Sequence, residues 1–212
     1  GEDSMAQIYV VGHKNPDNDS IMAAYTYANL KNMTDSENTY VPVRLGELPA
    51  ESAMLFDEYG IEPPALIERV GEGDVLVLVD HNEMGQAVDG IEDAEGAEII
   101  DPHRIADVST SAPITFINLP WGSTTSIITK LYEYFGIATD EQIAACLLSA
   151  ILTDTVILKS PTATETDARH VEKLAKVLDV DPVEFGMRIF KSRGGDDDVS
   201  VEDICSRDSK EV

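Results

Sequence analysis

The 212-residue sequence has little of what disulfide-stabilised, secreted or membrane proteins require. It contains two cysteines, Cys146 and Cys205, which excludes a framework of several disulfides and favours a reducing cytoplasm. It has no apolar run near the ~20 residues of a membrane helix, and its N-terminus lacks the charged-then-apolar pattern of a signal peptide. We therefore expect a cytoplasmic protein with no membrane partner.

Basic residues are also scarce. Fifteen Lys and Arg stand against 40 Asp and Glu, a net charge of −25, so the chain lacks the basic face that neutralises nucleic-acid phosphates, and we expect no nucleic-acid partner. The acidic excess is compatible with cation binding or simply with a well-solvated surface. With 43% hydrophobic and 26% charged residues, the composition is that of a globular domain.

Several catalytic signatures are missing as well. The sequence has no glycine-rich phosphate loop, no nucleophile elbow and no pair of neighbouring cysteines. Their absence disfavours P-loop chemistry, covalent catalysis and a structural zinc site.

Short β-branched apolar runs alternate with stretches of helical period. Strands are predicted at residues 8–11, 41–44, 74–79 and 98–100, and helices at residues 20–31, 51–59, 123–135, 141–152, 165–178 and 183–191. This alternation predicts an α/β domain, at residues 5–193, with a mostly parallel sheet and helices on both faces. Residues 194–212 begin with glycine and aspartate, and are predicted as a linker and the start of a second domain that is cut short.

Acidic residues and histidines follow the predicted strands. GHKNPDND comes after the first strand, DHNE after the third and DPHR after the fourth, and Asp154 ends the apolar run CLLSAILT. Three of the four histidines lie in these segments. Because ligands of parallel α/β sheets bind beyond the carboxyl ends of the strands, these side chains are candidates for one site.

Each of these residues also has a plainer interpretation. Asp17 and Asp19 suit turn and N-cap positions ahead of a helix. Asp80 could cap the element that follows it, and Asp154 could be hydrogen-bonded locally. His170 lies in the middle of a predicted helix, where we expect it on the surface.

Taken together, the acids favour bound metal. Carboxylates that converge from four strand ends repel one another and need positive charge nearby. Divalent cations supply that charge, and a mixed set of His and Asp ligands suits Mn²⁺, Co²⁺, Zn²⁺ or Fe²⁺ better than Ca²⁺. A carboxylate between two ions ~3.5–4 Å apart is the geometry of two-metal phosphoryl hydrolysis.

The motifs GHKNPDNDSI, VDHNE, DPHRIAD and LLSAILTDTVILKSPT, in this order, closely resemble the family II inorganic pyrophosphatases of the DHH phosphoesterase superfamily. The resemblance runs from about residue 8 to the end of the chain. It implies hydrolysis of pyrophosphate to two phosphates by a metal-bridging hydroxide, with Mn²⁺ or Co²⁺ in the tight sites and Mg²⁺ arriving with the substrate. It also implies a homodimer that pairs through an edge strand at residues 114–119, an apolar run that needs covering.

The resemblance assigns metal ligands residue by residue. His13 and Asp17 match ligands of the first metal. Asp19 and Asp154 match ligands of the second metal. Asp80 matches the carboxylate shared by both metals, which makes it part of the catalytic centre.

Two further residues match groups that contact the substrate. His103 matches the second histidine of the family's Asp-His-His signature, which contacts the phosphate and acts as a proton donor. Lys210 matches a lysine that binds the phosphate electrophile.

The sequence departs from the family pattern in two ways. Pro102 replaces the first histidine of the signature, normally a ligand of the second metal, and proline has no donor and stiffens the backbone. We therefore expect the first site to fill more readily than the second, and whether His103 moves into the gap is open. The Arg- and Lys-rich second domain of the family is missing from the sequence, so we expect a half-open site and weakened activity.

Two other functions stay open at this stage. One is a non-catalytic metal- or phosphate-binding module that dimerises, which Pro102 and the missing second domain favour. The other is a DHH phosphoesterase that acts on another phosphoanhydride or a phosphodiester. The retained acid set favours an enzyme, and the motifs resemble the pyrophosphatase branch rather than the nuclease branch.

Overall fold

The computed structural model describes residues 6–194, whose strands form one parallel sheet. The strands are β1 (Ala6–Val11), β2 (Asn38–Arg44), β3 (Ala65–Leu66), β4 (Val75–Val79), β5 (Glu95–Ile100) and β6 (Thr115–Ile117). They lie in the order β3-β2-β1-β4-β5-β6. The predicted sheet is therefore present, and every pairing in it is parallel.

Six α-helices accompany the sheet in the described part of the chain. They are α1 (Asn18–Thr34), α2 (Ala50–Glu58), α3 (Thr124–Tyr134), α4 (Glu141–Asp154), α5 (Glu165–Leu178) and α6 (Pro182–Ser192). All of them except α2 begin behind an Asp, Ser or Thr whose side chain accepts a hydrogen bond from the backbone N–H three residues on. Such caps satisfy N–H groups that the first helical turn leaves free.

The two faces of the sheet are covered differently. Val10 of β1 and Val77 of β4 belong to a buried cluster that includes apolar side chains from all six α-helices. Val11 points to the other face, where loop residues and two short 3₁₀-helices, Met84–Gln86 and Ile91–Asp93, provide the packing. Helical segments lie on both faces, with the six α-helices on one, and the predicted α/β class is confirmed.

Three details of the chain differ from the sequence prediction or refine it. The two-residue strand β3 was not predicted, and it follows the helix-breaking pair Pro63 and Pro64. The strand expected at residues 114–119 is β6, at one edge of the sheet. Asp154 lies at the end of helix α4, so the acids converge from three strand ends and one helix end rather than from four strand ends.

The prediction that His170 lies on the surface was wrong. His170 is 3% exposed, and its Nδ1 is 2.8 Å from the hydroxyl of Ser126 on α3. It shares the buried stripe of α5 with Val171 and Leu174. The helical period placed it in the core, and one hydrogen bond satisfies part of its polarity.

The strand order directs ligands to the middle of the sheet. From β1 the chain builds outward through β2 to β3, and it then returns to β4 and builds outward on the opposite side. In open parallel sheets the crevice at this reversal, beyond the carboxyl ends of the strands, is the usual ligand site. Among residues 6–194, none of the helices combines the length and the hydropathy that crossing a bilayer needs.

Candidate metal centre

Three side chains meet beyond the carboxyl ends of β1 and β4. The Nε2 of His13 lies 3.2 Å from Asp80 Oδ2 and 3.7 Å from Asp17 Oδ2. The Nδ1 of His13 donates to the carbonyl of Lys14 at 2.7 Å, which leaves Nε2 facing the carboxylates. The residue before His13 is Gly12, and only a glycine fits there so close to α1, because a Cβ would lie 2.6 Å from the hydroxyl of Ser20.

Asp17 serves the helix and the cluster with different oxygens. Its Oδ1 accepts the N–H of Ser20 at 2.8 Å and caps α1, as the plainer interpretation of the sequence proposed. Its Oδ2 faces His13, and the side chain is 54% exposed. Capping therefore does not prevent Asp17 from contacting a cation.

A second cluster lies deeper, formed by Asp19, Asp80 and Asp154. One carboxylate oxygen of each lies within 4.8 Å of the others. Asp19, fully buried in the first turn of α1, accepts the N–H groups of Thr124 and Thr125 at 2.8 and 3.1 Å. These N–H groups form the start of α3, where the helix dipole favours negative charge. Sequence neighbours 17 and 19 thus point into different clusters.

Asp80 belongs to both clusters. Its Oδ2 accepts from the hydroxyl of Ser20 and its Oδ1 from the hydroxyl of Thr124, each at 3.0 Å. Its backbone is in the left-handed region, with φ at 65°, which Asp tolerates better than most residues. Two hydroxyls and a turn therefore hold one carboxylate between the two ligand sets.

Burial and mutual repulsion act on the buried acids, and the contact with His13 offsets them only in part at Asp80. Burial, followed by the charges of Asp80 and Asp17, raises the pKa of Asp19 well above its ordinary value. Burial likewise raises the pKa of Asp80 to about 7 and, together with the charge of Asp19, raises that of Asp154 well above its ordinary value. Carboxyl groups in this state gain most from a bound cation.

The outer residues are balanced differently. Burial alone would lower the pKa of His13, but its contacts with the carboxylates of Asp17 and Asp80 outweigh burial and raise that pKa to about 11. For Asp17, burial is likewise outweighed by the contact with His13, which lowers the pKa of Asp17. The two carboxylates therefore favour positive charge beside His13 Nε2, where the first ligand set would hold a cation.

The segment after Asp154 is strained. Val156, Ile157 and Leu158 have φ values of 49°, 54° and 63°, a region that β-branched residues rarely adopt. The N–H of Leu158 donates to the hydroxyl of Thr155 at 3.0 Å, and Ile157 is 8% exposed. Packing and hydrogen bonds thus hold a left-handed turn directly behind a predicted ligand.

The DPHR motif lies in the loop after β5. The Oδ1 of Asp101 is 2.6 Å from His103 Nδ1, and its Oδ2 accepts from Asn82 at 2.6 Å. Pro102 stands between them. Asp80, Asp101 and His103 form a third group with ligand atoms within 4.8 Å of one another. Asp101 was not predicted as a site residue, although it follows β5 as Asp80 follows β4.

These side chains surround a pocket of about 250 Å³. Its lining residues are His13, Asp17, Asp80, His81, Asn82, Glu83, Gln86, His103, Arg104 and Ala106. His81 donates from Nδ1 to the carbonyl of Val79 at 2.8 Å, and burial lowers its pKa to about 4. Its Nε2 is one of two buried side-chain atoms in residues 6–194 without a hydrogen-bond partner. The sequence did not distinguish His81 from an ordinary packed histidine.

The donor sets fit two divalent cations. The first set offers an imidazole nitrogen and two carboxylates, the second offers three carboxylates, and Asp80 is common to both. Imidazole with carboxylate suits borderline ions such as Mn²⁺, and the buried negative charge needs a cation to be stable. Of the predicted site residues, Lys210 lies outside the part of the chain that the structure describes.

Comparison with known proteins agrees with this chemistry. Residues 7–151 match the model of the DHH family, N-terminal domain. A manganese-dependent inorganic pyrophosphatase from Methanothrix thermoacetophila is 44% identical over 203 residues, which are 96% of this chain and 65% of the relative. A relative from Oceanobacillus iheyensis is 42% identical over 98% of this chain and 67% of its own length. The chain therefore spans about two thirds of the length of these relatives.

Solved structures give the same result for the fold. A Methanococcus jannaschii protein assigned to the family II inorganic pyrophosphatases superposes with a TM-score of 0.79 at 36% identity, covering 88% of this chain and 60% of that one. An exopolyphosphatase-related protein from Bacteroides fragilis superposes with a TM-score of 0.67 at 17% identity, covering 87% of this chain and 56% of its own, and shares the fold alone. This chain belongs to the DHH superfamily and, within it, to the family II, manganese-dependent inorganic pyrophosphatases.

Proposed function

We propose that this chain carries the metal centre of an enzyme that hydrolyses inorganic pyrophosphate to two phosphates. The observation that supports it best is the position of Asp80, whose carboxylate belongs to both ligand sets. A carboxylate shared by two divalent ions is the arrangement used for phosphoryl hydrolysis. The names of the relatives point to the same reaction.

The chain's own residues divide the work. His13, Asp17 and Asp80 would hold the first ion, and Asp19 and Asp154 would complete the second site with Asp80. Bound ions would lower the pKa of a water and neutralise charge on the phosphoryl group. Hydroxyl and backbone donors keep the shared carboxylate and Asp19 in place without rearrangement, which favours a pre-organised site.

The substrate side of the pocket is less complete. His103 and Arg104 lie at its rim, and Arg104 is the one arginine or lysine among its described lining residues. The family resemblance assigns His103 to phosphate contact and proton donation, and its hydrogen bond to the Asp101 carboxylate raises its pKa. We also propose that Lys210 binds the phosphate electrophile.

Manganese is the ion that the names of the relatives support. We extend this to Co²⁺ as an alternative in the tight sites, since both ions accept mixed nitrogen and oxygen ligands. Mg²⁺ is proposed to arrive with pyrophosphate, whose phosphate oxygens suit that harder ion.

The remaining proposals concern organisation and partners. We propose that residues 5–193 are the catalytic domain and that residues 194–212 lead into a second one. Within residues 6–194, β6 lies at the edge of the sheet, and its unpaired side supports a homodimer joined there. The two cysteines of the sequence support a cytoplasmic location. We propose no nucleic-acid partner, because the net charge is −25. We propose no membrane partner, because the sequence has no apolar run near the ~20 residues of a membrane helix. Light scattering tests the dimer. The parent chain should have the mass of two chains, and Phe116→Lys, which places a charge on β6, should have the mass of one.

Phosphate release from pyrophosphate with Mn²⁺ tests the function. The parent chain should release phosphate, Asp80→Asn should not, and Ile105→Ala, an exposed change in the neighbouring loop, should match the parent. Pro102→His should raise both the release and the binding of the second ion. A parent that binds two ions but releases no more phosphate than Asp80→Asn would contradict the proposal.

Pro102 favours one competing function, a non-catalytic metal- or phosphate-binding module. Such a module would bind Mn²⁺ and phosphate, and Pro102→His would change metal binding without creating turnover. A phosphoesterase with another substrate would instead release phosphate from tripolyphosphate or cleave a dinucleotide faster than it hydrolyses pyrophosphate. The same Mn²⁺-loaded samples distinguish the three.

A further inference from the structure

We propose that His103 is a ligand of the second metal in this chain and replaces the imidazole that Pro102 cannot supply, with Asp101 as the residue that orients it. The inference deepens the proposed function and rests on its two-metal centre. It changes the role that family resemblance gives to His103, from substrate contact to metal ligand.

The first argument is position. Asp80, Asp101 and His103 each offer a ligand atom within 4.8 Å of the others, and Asp80 is also a member of the second metal cluster. A ring nitrogen of His103 therefore lies within 4.8 Å of a carboxylate oxygen of Asp80, the ligand that any second ion must contact.

The second argument is the state of the imidazole ring. The Nδ1 of His103 is 2.6 Å from Asp101 Oδ1, and a carboxylate in that position accepts the Nδ1 proton. Nε2 then carries the lone pair and is free to bind a cation. A carboxylate that orients a histidine through the opposite ring nitrogen is the usual companion of a metal-ligating imidazole.

The third argument is the backbone around Pro102. Asn118 donates to the carbonyls of Asp101 and His103 at 2.6 and 2.8 Å. Asn82 donates to the carbonyl of Arg104 at 2.9 Å. The loop is therefore held on both sides of His103, and Asp101 is fully buried. A fixed loop lowers the entropy cost of holding one imidazole at the metal.

The test is Mn²⁺ binding, measured by calorimetry and by electron paramagnetic resonance. The parent chain should bind two ions. His103→Ala should lower the affinity for the second ion by more than roughly 10-fold, the cost of losing an outer hydrogen-bond partner of a ligand. It should leave the affinity for the first ion unchanged. Asp101→Asn should lower the affinity for the second ion less than His103→Ala does. The double variant Pro102→His with His103→Ala should restore that affinity. Ile105→Ala is the matched control from the same loop.

A spectroscopic readout identifies the ligand directly. Electron spin echo envelope modulation detects imidazole nitrogens bound to Mn²⁺. At saturating metal the parent should show two, from His13 and His103, and His103→Ala should show one. The urea midpoint of His103→Ala, measured with a chelator, shows that the variant is folded; it should fall below that of the parent, because the substitution leaves the buried Asp101 Oδ1 without its hydrogen-bond donor.

Other outcomes separate the two proposals. If His103→Ala binds both ions as the parent does, or if the parent shows one imidazole, the inference is overturned, while phosphate release by the parent still supports the proposed function. If His103→Ala loses the second ion but the parent hydrolyses no pyrophosphate, the ligand assignment stands and the proposed function fails. A parent that binds only one ion at any Mn²⁺ concentration also overturns the inference.

Discussion

The two metal clusters of this molecule are built in different ways. The first takes His13 and Asp17 from one short loop, adds Asp80 and opens to the pocket. The second takes Asp19 from α1 and Asp154 from the end of α4, and joins them to Asp80 beneath the surface. Local spacing supplies most of the first site, whereas the second exists only when three distant segments pack together.

The difference is also electrostatic. In the first cluster an imidazolium compensates part of the negative charge, since the pKa of His13 is raised to about 11. In the second cluster three carboxyl groups face one another, and the pKa values of all three are raised. We expect the second cluster to limit the stability of the metal-free protein and to gain more from a cation.

The largest expected effect comes from Asp80→Asn, which breaks both clusters at once. Loss of a shared ligand should lower Mn²⁺ affinity at both sites by more than about 100-fold, the upper end for outer hydrogen-bond partners of a ligand. The metal-free protein should become more stable, by roughly 1–3 kcal/mol. Burial and the charges of Asp17 and Asp154 raise the pKa of Asp80 despite its contact with His13, so a neutral amide in its place relieves more than it loses. Electron paramagnetic resonance and urea unfolding with a chelator measure the two effects. A less stable variant would show that the charge is compensated.

Single-site variants should separate the two clusters. His13→Gln should remove the tighter ion and Asp154→Asn the weaker one, each leaving one Mn²⁺ per chain and each costing more than about 10-fold in affinity at the broken site. This follows from the expectation that the first site fills more readily. Two equal stepwise affinities in the parent chain would contradict that order.

Asp19→Asn should act on stability in the opposite direction from Asp80→Asn. Asp19 accepts two N–H groups from α3, and an asparagine can satisfy only one of them and turns its own NH₂ toward the other. The free energy of unfolding should fall by about 1–2 kcal/mol without metal. Urea unfolding with a chelator measures it, with the exposed Asp93→Asn as the control. A stability gain would mean that relief of repulsion exceeds the lost hydrogen bond.

The smallest expected effect is a pH dependence of stability at His170, which packs against Ser126 of α3. Burial lowers the pKa of His170, so the folded state holds it neutral and the unfolded state takes up the proton first as pH falls. Its contribution is therefore present above its ordinary pKa of about 6.5 and lost below it. Between pH 7 and pH 5, the parent should lose more stability than His170→Gln, which can keep the contact with Ser126. If the stabilities of the parent and of His170→Gln fall equally between pH 7 and pH 5, His170 accepts a proton in the folded state and the prediction is wrong.

Much of the fold followed from local pattern. β-branched runs such as 74–79 and capped helices such as α5 were predicted within a few residues, because side-chain periodicity and N-cap chemistry act over short distances. β3 was missed because a strand of two residues is too short to show an alternating apolar pattern. His170 was wrongly predicted to be exposed, although it lies on the buried stripe of α5 with Val171 and Leu174.

The site was predictable to a similar degree. Polar residues after parallel strands must share one edge of the sheet, so the meeting of His13 with Asp80 followed from the strand ends. Asp101 offered the same signal, because it follows β5 as Asp80 follows β4, but the family resemblance gave it no role. The lone Nε2 of His81 and the left-handed turn after Asp154 had no sequence signal, since neither burial of one ring atom nor a positive φ at Val156 is visible in residue order.

The sequence alone determined the kinds of donor, their order along the chain and the strand ends that carry most of them, because these depend on composition and short-range periodicity. Tertiary structure alone decided that Asp17 and Asp19, two residues apart, serve different clusters, and that His103 lies against Asp101 within reach of Asp80. The first outcome depends on how α3 and α4 pack against the sheet. The second depends on the pairing of β5 with β4, which brings the loop after β5 to Asp80. In both cases packing joins groups whose separation in sequence does not give their distance in space.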